Sequence, residues 1–153
     1  GIYVDVQNVY YTTRQIYKRQ FNYRALWEHF AKSTYISVAT AYAIDRGISD
    51  QQKFQSALRH IGFEVKLKPY ISRSDGSSKG DWDVGITIDI IKTAPRLDRI
   101  VLHSGDGDFD LLENYVRDTC DVEVEVYGVS ALTANSLKHS ADRFHPIDET
   151  FLL

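Results

Sequence analysis

Apolar residues along this chain recur with two periods, about two residues and about 3.6, and each switch between them marks a change of element. The run Ile2-Tyr3-Val4 predicts a strand over 2–6, and the polar stretch 11–20 predicts a helix or an ordered loop. Leu26, Trp27 and Phe30 stand at helical spacing within 23–32, whereas 35–44 alternates β-branched and small residues as a strand does. A helix over 51–61 carries Phe54, Leu58 and Ile61 on one face, with Asp50 as its cap and Gly62 at its end. Residues 64–68 alternate as a strand. Residues 69–80, rich in Ser, Gly and charge, predict a mobile loop. Val84, Ile88 and Ile91 give a helix over 81–94 that Pro95 closes. A strand at 99–102, a helix at 109–117 and a strand at 122–127 followed by Gly128 come next. A short helix at 133–140 and a last strand at 143–145 complete the series.

Strands alternating with helices predict an α/β fold, a three-layer α/β/α sandwich around a mostly parallel sheet. Right-handed crossovers bring the strand C-termini to one edge, where such sheets bind ligands. No repeat or linker interrupts the pattern, so residues 1–153 read as a single domain.

Composition narrows the class. The chain is 43% apolar and 25% charged, ordinary for a globular protein. No apolar run approaches the roughly 20 residues that span a bilayer, and no secretory apolar region stands at the N-terminus. Gly1 leads almost at once into the first strand, so a leader, if the natural protein has one, lies outside this sequence. A single cysteine, Cys120, excludes an intrachain disulfide and fits a reducing cytoplasm; with no partner at ligand spacing, it reads as a small buried side chain. The formal charge of −3 does not advertise nucleic-acid binding. Setting aside Asp5, Asp81, Asp83, Asp106, Asp108 and Asp110, six of the 21 acids, leaves 15 against 18 bases. An acidic pocket in a mildly basic surround suits a polyanion once a metal neutralises the acids.

The candidate chemistry lies in 103–110, His-Ser-Gly-Asp-Gly-Asp-Phe-Asp, directly after Ile100-Val101-Leu102. A strand opening into this turn throws carboxylates out at its C-terminal end. Asp106 and Asp108 are spaced to converge on one hard cation, and Gly105 and Gly107 relieve the backbone of Cβ clashes. Asp5 ends the first strand, and Asp81 and Asp83 begin the helix after the loop. Asp81 is most simply a cap, while Asp83 in the first turn projects toward the crevice. Asn8 either bonds Asp5, reaches a metal-bound water or caps the next helix. Ser104 is placed to bond a carboxylate or a phosphate, Lys79 to contact a phosphate or balance the acids. Asp110 faces solvent in this reading, and Phe109 and Leu112 pack inward. A phosphatase would carry a second aspartate where Gln7 stands, which argues against that class. The five histidines, His29, His60, His103, His139 and His145, show no zinc spacing.

Four segments occur in a telling order: Val-Asp-Val-Gln-Asn at 4–8, Lys-Gly-Asp-Trp-Asp-Val at 79–84, Ser-Gly-Asp-Gly-Asp-Phe at 104–109, and Ser-Leu-Lys-His-Ser-Ala-Asp-Arg-Phe at 136–144. Together they resemble the NYN domain of LabA-like proteins, a branch of the PIN-like nuclease fold, over nearly the whole chain. The resemblance implies a parallel sheet of order 3-2-1-4-5 and a Mg²⁺- or Mn²⁺-dependent ribonuclease centre. The family acids fall on Asp5, Asp83, Asp106 and Asp108, and the family asparagine on Asn8. The family's usual glycine in the first segment is Val6 here. The implied reaction is metal-assisted phosphodiester hydrolysis, with the carboxylates as ligands of one or two ions. Arg73 and Lys79 of the 69–80 loop, and Arg14, Lys18 and Arg19 after the first strand, are candidates to hold an RNA backbone; Tyr10 and Tyr11 are candidates to stack on its bases or to pack in the core. The alternative is an RNA-binding or regulatory module that holds a metal but turns over little. Oligomeric state stays open, a homo-oligomer included.

Overall fold

Two strands that leave the same sheet edge with acids at their ends are neighbours in space: β1 (Ile2–Asp5) pairs with β6 (Arg99–His103), Val4 opposite His103. The computed structural model describes residues 1–69, 71–72, 78–79 and 81–153. Helix α1 (Val6–Tyr17) follows β1 without a linker, and α2 (Tyr23–Ala31) follows it. Then come β2 (Ala39–Asp45), α3 (Ser49–Ile61) and β3 (Glu64–Pro69). A two-residue ribbon, β4 (Ile71–Ser72) against β5 (Ser78–Lys79), is antiparallel and separate from the main sheet. After it stand α4 (Asp83–Thr93), β6, α5 (Asp110–Cys120), β7 (Glu123–Gly128), α6 (Asn135–Ser140) and β8 (Arg143–Pro146). The main sheet runs β3-β2-β1-β6-β7-β8 with every pairing parallel. Counting its strands alone, the order is 3-2-1-4-5-6, the expected order extended by the last strand and consistent with a PIN-like fold.

Both sheet faces are covered, so successive strand residues are buried on opposite sides. Ile2, Val4, Ala41, Ala43 and Val101 pack with α1, α2 and α3 through Val9, Leu26, Phe30 and Leu58. Tyr3, Tyr42, Ile100, Leu102 and Val126 pack with α4, α5 and α6 through Ile86, Ile90, Val116 and Leu137. Phe109 and Leu112 join this second core, as expected. Register also sets His103, Tyr127 and His145 side by side across β6, β7 and β8, their rings stacked at 4.7 and 4.6 Å. Burial, and then the neighbouring His145, push His103 down to about 3, so its imidazole is neutral.

Several boundaries differ from expectation for identifiable reasons. Helix α1 begins at Val6, because the Asp5 side chain accepts the Asn8 amide and turns strand into helix within one residue. Strand β2 begins at Ala39, and Tyr35 is 91% exposed. Asp50 is not the cap of α3: Ile48 occupies that position without a side-chain bond, and Asp50 lies in the first turn. Gly62 does close α3, at φ 137°, where a Cβ would meet the Trp27 ring at 2.6 Å. Helix α4 is apolar on both sides, so periodicity did not select its buried face. Ile86 and Ile90 go inward, and Val84, Ile88 and Ile91 are exposed. Cys120 and Asp110 are half-buried. The mobility expected of 69–80, and Arg73 with it, lie outside the described residues, as does the side chain of Lys79. Among the described residues no helix is long and apolar enough to cross a membrane.

Candidate metal centre

At the C-terminal edge of the sheet β1 passes directly into α1, whereas β6 opens into a turn held by side chains rather than by regular structure. Ser104, fully buried, donates its hydroxyl to Asp5 Oδ2 at 3.1 Å and accepts the Asp106 amide at 3.2 Å. Asn8 Oδ1 accepts the Gly105 amide at 2.9 Å. Asp106 caps a short 3₁₀ turn, Gly107–Phe109, by accepting the Asp108 amide at 3.0 Å. A third segment arrives through α4. Trp82 donates its indole N–H to the Ala43 carbonyl at the end of β2, 2.8 Å away, and packs against Tyr42. Asp81 accepts the Asp83 amide at 3.2 Å, which fixes the first turn of α4.

These constraints gather acids. Asp83, Asp106 and Asp108 each offer a carboxylate oxygen, and the three oxygens lie within 4.8 Å of one another. Asp5 is buried beside them, linked to the Asp106 amide through Ser104. Burial pushes the Asp5 carboxyl up to about 6 against the bonds from Asn8 and Ser104, and the charges of Asp106 and Asp81 raise it further. Burial likewise pushes Asp83 up to about 7, followed by its hydrogen bond to the Asp106 carboxyl and the charges of Asp106, Asp81 and Asp5. Ion pairs among the described residues, such as Arg19–Glu149, Lys66–Asp89 and Arg99–Glu125, lie elsewhere.

Carboxylates that resist ionising together are stabilised by a cation placed among them. Hard oxygen donors suit Mg²⁺ or Mn²⁺, and the neighbouring charges that help raise Asp83 mark where positive charge is needed. The donor set therefore fits a divalent metal. Of the residues singled out in the sequence, Asp5, Asn8, Asp83, Ser104, Asp106 and Asp108 come together at this edge. The anchoring of Trp82 on Ala43 was missed; its only signal was an indole set between two acids in Asp81-Trp82-Asp83.

The fold agrees with the comparisons to known proteins. The NYN domain family model matches residues 1–148, and the chain belongs to that family. It is 28% identical over 157 residues to the low amplitude and bright protein LabA of Synechococcus elongatus, covering 97% of this chain and 83% of that one. It is 51% identical to a protein of unknown function from Vibrio parahaemolyticus whose crystal structure superposes with a TM-score of 0.94, over 99% of this chain and 94% of that one. A ribokinase from Giardia lamblia, 11% identical, shares the fold alone, with a TM-score of 0.51 over 80% of this chain and 45% of the kinase.

Proposed function

We propose that the protein is a divalent-metal-dependent nuclease that hydrolyses phosphodiester bonds of RNA. The observation that carries this reading is the convergence of Asp83, Asp106 and Asp108 within 4.8 Å, with Asp5 buried beside them, in a chain of the NYN family. Asp83, Asp106 and Asp108 would hold Mg²⁺ or Mn²⁺, and Asp5 would complete the acidic surround. Such an ion supplies a nucleophile at neutral pH and charge stabilisation on the phosphate.

The chain's own residues set up this chemistry. Ser104 positions Asp5 and the Asp106 loop, and since it is buried with both its bonds internal, it orients acids rather than meeting substrate. Asn8 plays the same part through Gly105. Asp83, raised to about 7 beside the other acids, would give up its proton as the ion binds. Lys79 and Arg73 remain proposed contacts to the RNA backbone. The half-exposed Cys120 is compatible with the proposed cytoplasmic setting.

Incubating a panel of single-stranded and structured RNAs with the protein in Mn²⁺, Mg²⁺ or EDTA tests the reading. Cleavage with either metal and none in EDTA supports it. A metal-dependent rise in thermal stability without cleavage favours a metal-holding RNA-binding module instead.

A further inference from the structure

Helix α1 leaves the acidic edge carrying Gln7, Tyr10, Tyr11 and Arg14 at intervals of three and four residues, and Lys18 stands at its C-cap in the left-handed region. Side chains so spaced line one helix face, here about 10 Å long from Gln7 to Arg14 at 1.5 Å per residue. Two concavities lie along this face and share Tyr10 and Gln20 as a common wall. The larger, about 720 Å³, starts at Val6 and Gln7, next to Asp5, and is bounded across from them by Ala43, Ile44 and Phe54. The carbonyl of Ala43 is also the one that holds Trp82 beside Asp83. The smaller concavity, about 440 Å³, is walled by Arg14, Lys18 and Arg19.

The order outward from the acids is therefore aromatic, then cationic. Tyr10 and Tyr11 are 44% and 50% exposed, their rings nearly perpendicular with centroids 5.3 Å apart. Arg14 donates to the Tyr10 hydroxyl at 2.8 Å, its guanidinium carbon 5.7 Å from the ring centroid. Arg19 is tied to Glu149 at 2.5 Å, whereas Arg14 and Lys18 bond only the neutral Tyr10 hydroxyl and Gln15 carbonyl and keep their charge for an anion. Exposed aromatic rings followed by cations match a chain of bases and phosphates. An acidic peptide without aromatic residues would satisfy the cations but leave the tyrosines unstacked. A duplex keeps its bases stacked within itself, so only an unpaired strand can use the pair.

We propose that the groove along α1 is the track by which single-stranded RNA reaches the acidic centre, with bases stacking at Tyr10 and Tyr11 and backbone phosphates meeting Arg14 and Lys18. The proposal rests on the nuclease reading for what the track leads to, but its test is a binding measurement made without turnover. Fluorescence anisotropy in EDTA compares a short unstructured oligoribonucleotide with the same strand in a duplex. The single strand is expected to bind more tightly. Tyr11→Ala is expected to weaken it roughly five- to a hundredfold, the range for loss of one stacking ring, while Tyr11→Phe retains binding. Arg14→Gln with Lys18→Gln lowers the slope of log K against log salt by about 1.4, two contacts at about 0.7 each. Equal binding of duplex and single strand, wild-type binding by Tyr11→Ala, an unchanged salt slope, or displacement by polyglutamate at matched charge overturns the track. If these binding differences hold while the wild type fails to cleave RNA in Mn²⁺, the nuclease reading falls and the track stands as an RNA-binding surface. If the wild type cleaves and these variants bind as it does, the track falls alone.

Discussion

Asn8 Oδ1 accepts the amide of Gly105 at 2.9 Å, joining the first turn of α1 to the loop after β6, a residue 97 positions further along the chain. Gly105 is buried, so its N–H has no ready substitute in water. Asn8→Ala should lower unfolding free energy by about 1–2 kcal/mol, the cost of leaving a buried donor unpaired. Urea unfolding with an unchanged m-value reads this directly. A midpoint equal to wild type would mean the two segments are held together by other contacts.

Asp106→Asn separates charge from structure. Asparagine keeps a carbonyl oxygen able to accept the Asp108 amide, so the cap of the Gly107–Phe109 turn survives. It removes one negative charge that helps raise the carboxyls of Asp83 and Asp5. Without metal the variant should melt at or above the wild-type temperature. Mn²⁺ should raise the wild-type Tm and leave the variant nearly unmoved. A variant that keeps the full metal-induced shift counts against the centre.

The pH dependence follows in sign from the raised carboxyls. Asp5 at about 6 and Asp83 at about 7 in the folded chain both lie above the ordinary 3.8. Between about pH 4 and pH 7 the folded protein holds protons that the unfolded chain has released, so these groups make stability fall as pH rises through that window. Buried Glu113, also raised to about 7, acts in the same direction. In EDTA, Asp83→Asn should therefore show a smaller loss of Tm from pH 5 to pH 8 than wild type. Because metal competes with those protons, the Tm gained from Mn²⁺ should grow with pH. Identical pH profiles for variant and wild type would contradict the coupling.

Much of this fold was legible because both faces of the sheet are buried and alternate helices carry clear apolar stripes. The Asp5 junction was not: strand and helix abut at Val6, where β-branched and aromatic residues hide the helical period. Nor was the buried face of α4, since the helix offers two apolar stripes and Val84, Ile88 and Ile91 are the exposed one. Asp5, Asp106 and Asp108 were visible as acids after strands and Asp83 as an acid in the first turn of a helix, and parallel topology brings strand ends to one edge. The reason for Gly105 was only half visible. It is not among the residues at positive φ. A Cβ there would meet the Leu132 carbonyl at 2.8 Å, a neighbour from a distant segment that local sequence does not disclose.

That close approach gives a further prediction. Gly105→Ala forces the backbone near Leu132 and Thr133 to shift, and should destabilise the fold by about 1–3 kcal/mol. The same shift displaces Asp106, so the Mn²⁺-induced rise in Tm should shrink as well. Denaturant unfolding and thermal shifts on one preparation check both. Loss of stability with an intact metal response would show that the acids are positioned independently of this loop.

The central claim, that the acids at the sheet edge form a metal-dependent RNA-hydrolysing centre, is tested most directly by single-turnover cleavage of one single-stranded RNA. Wild type and Asp106→Asn, purified in parallel, are compared in Mn²⁺ and in EDTA. Cleavage by the wild type in Mn²⁺, abolished by EDTA and lowered roughly a hundredfold or more in the variant, is the predicted result. Equal rates for the two proteins, or wild-type cleavage that survives EDTA, would contradict it.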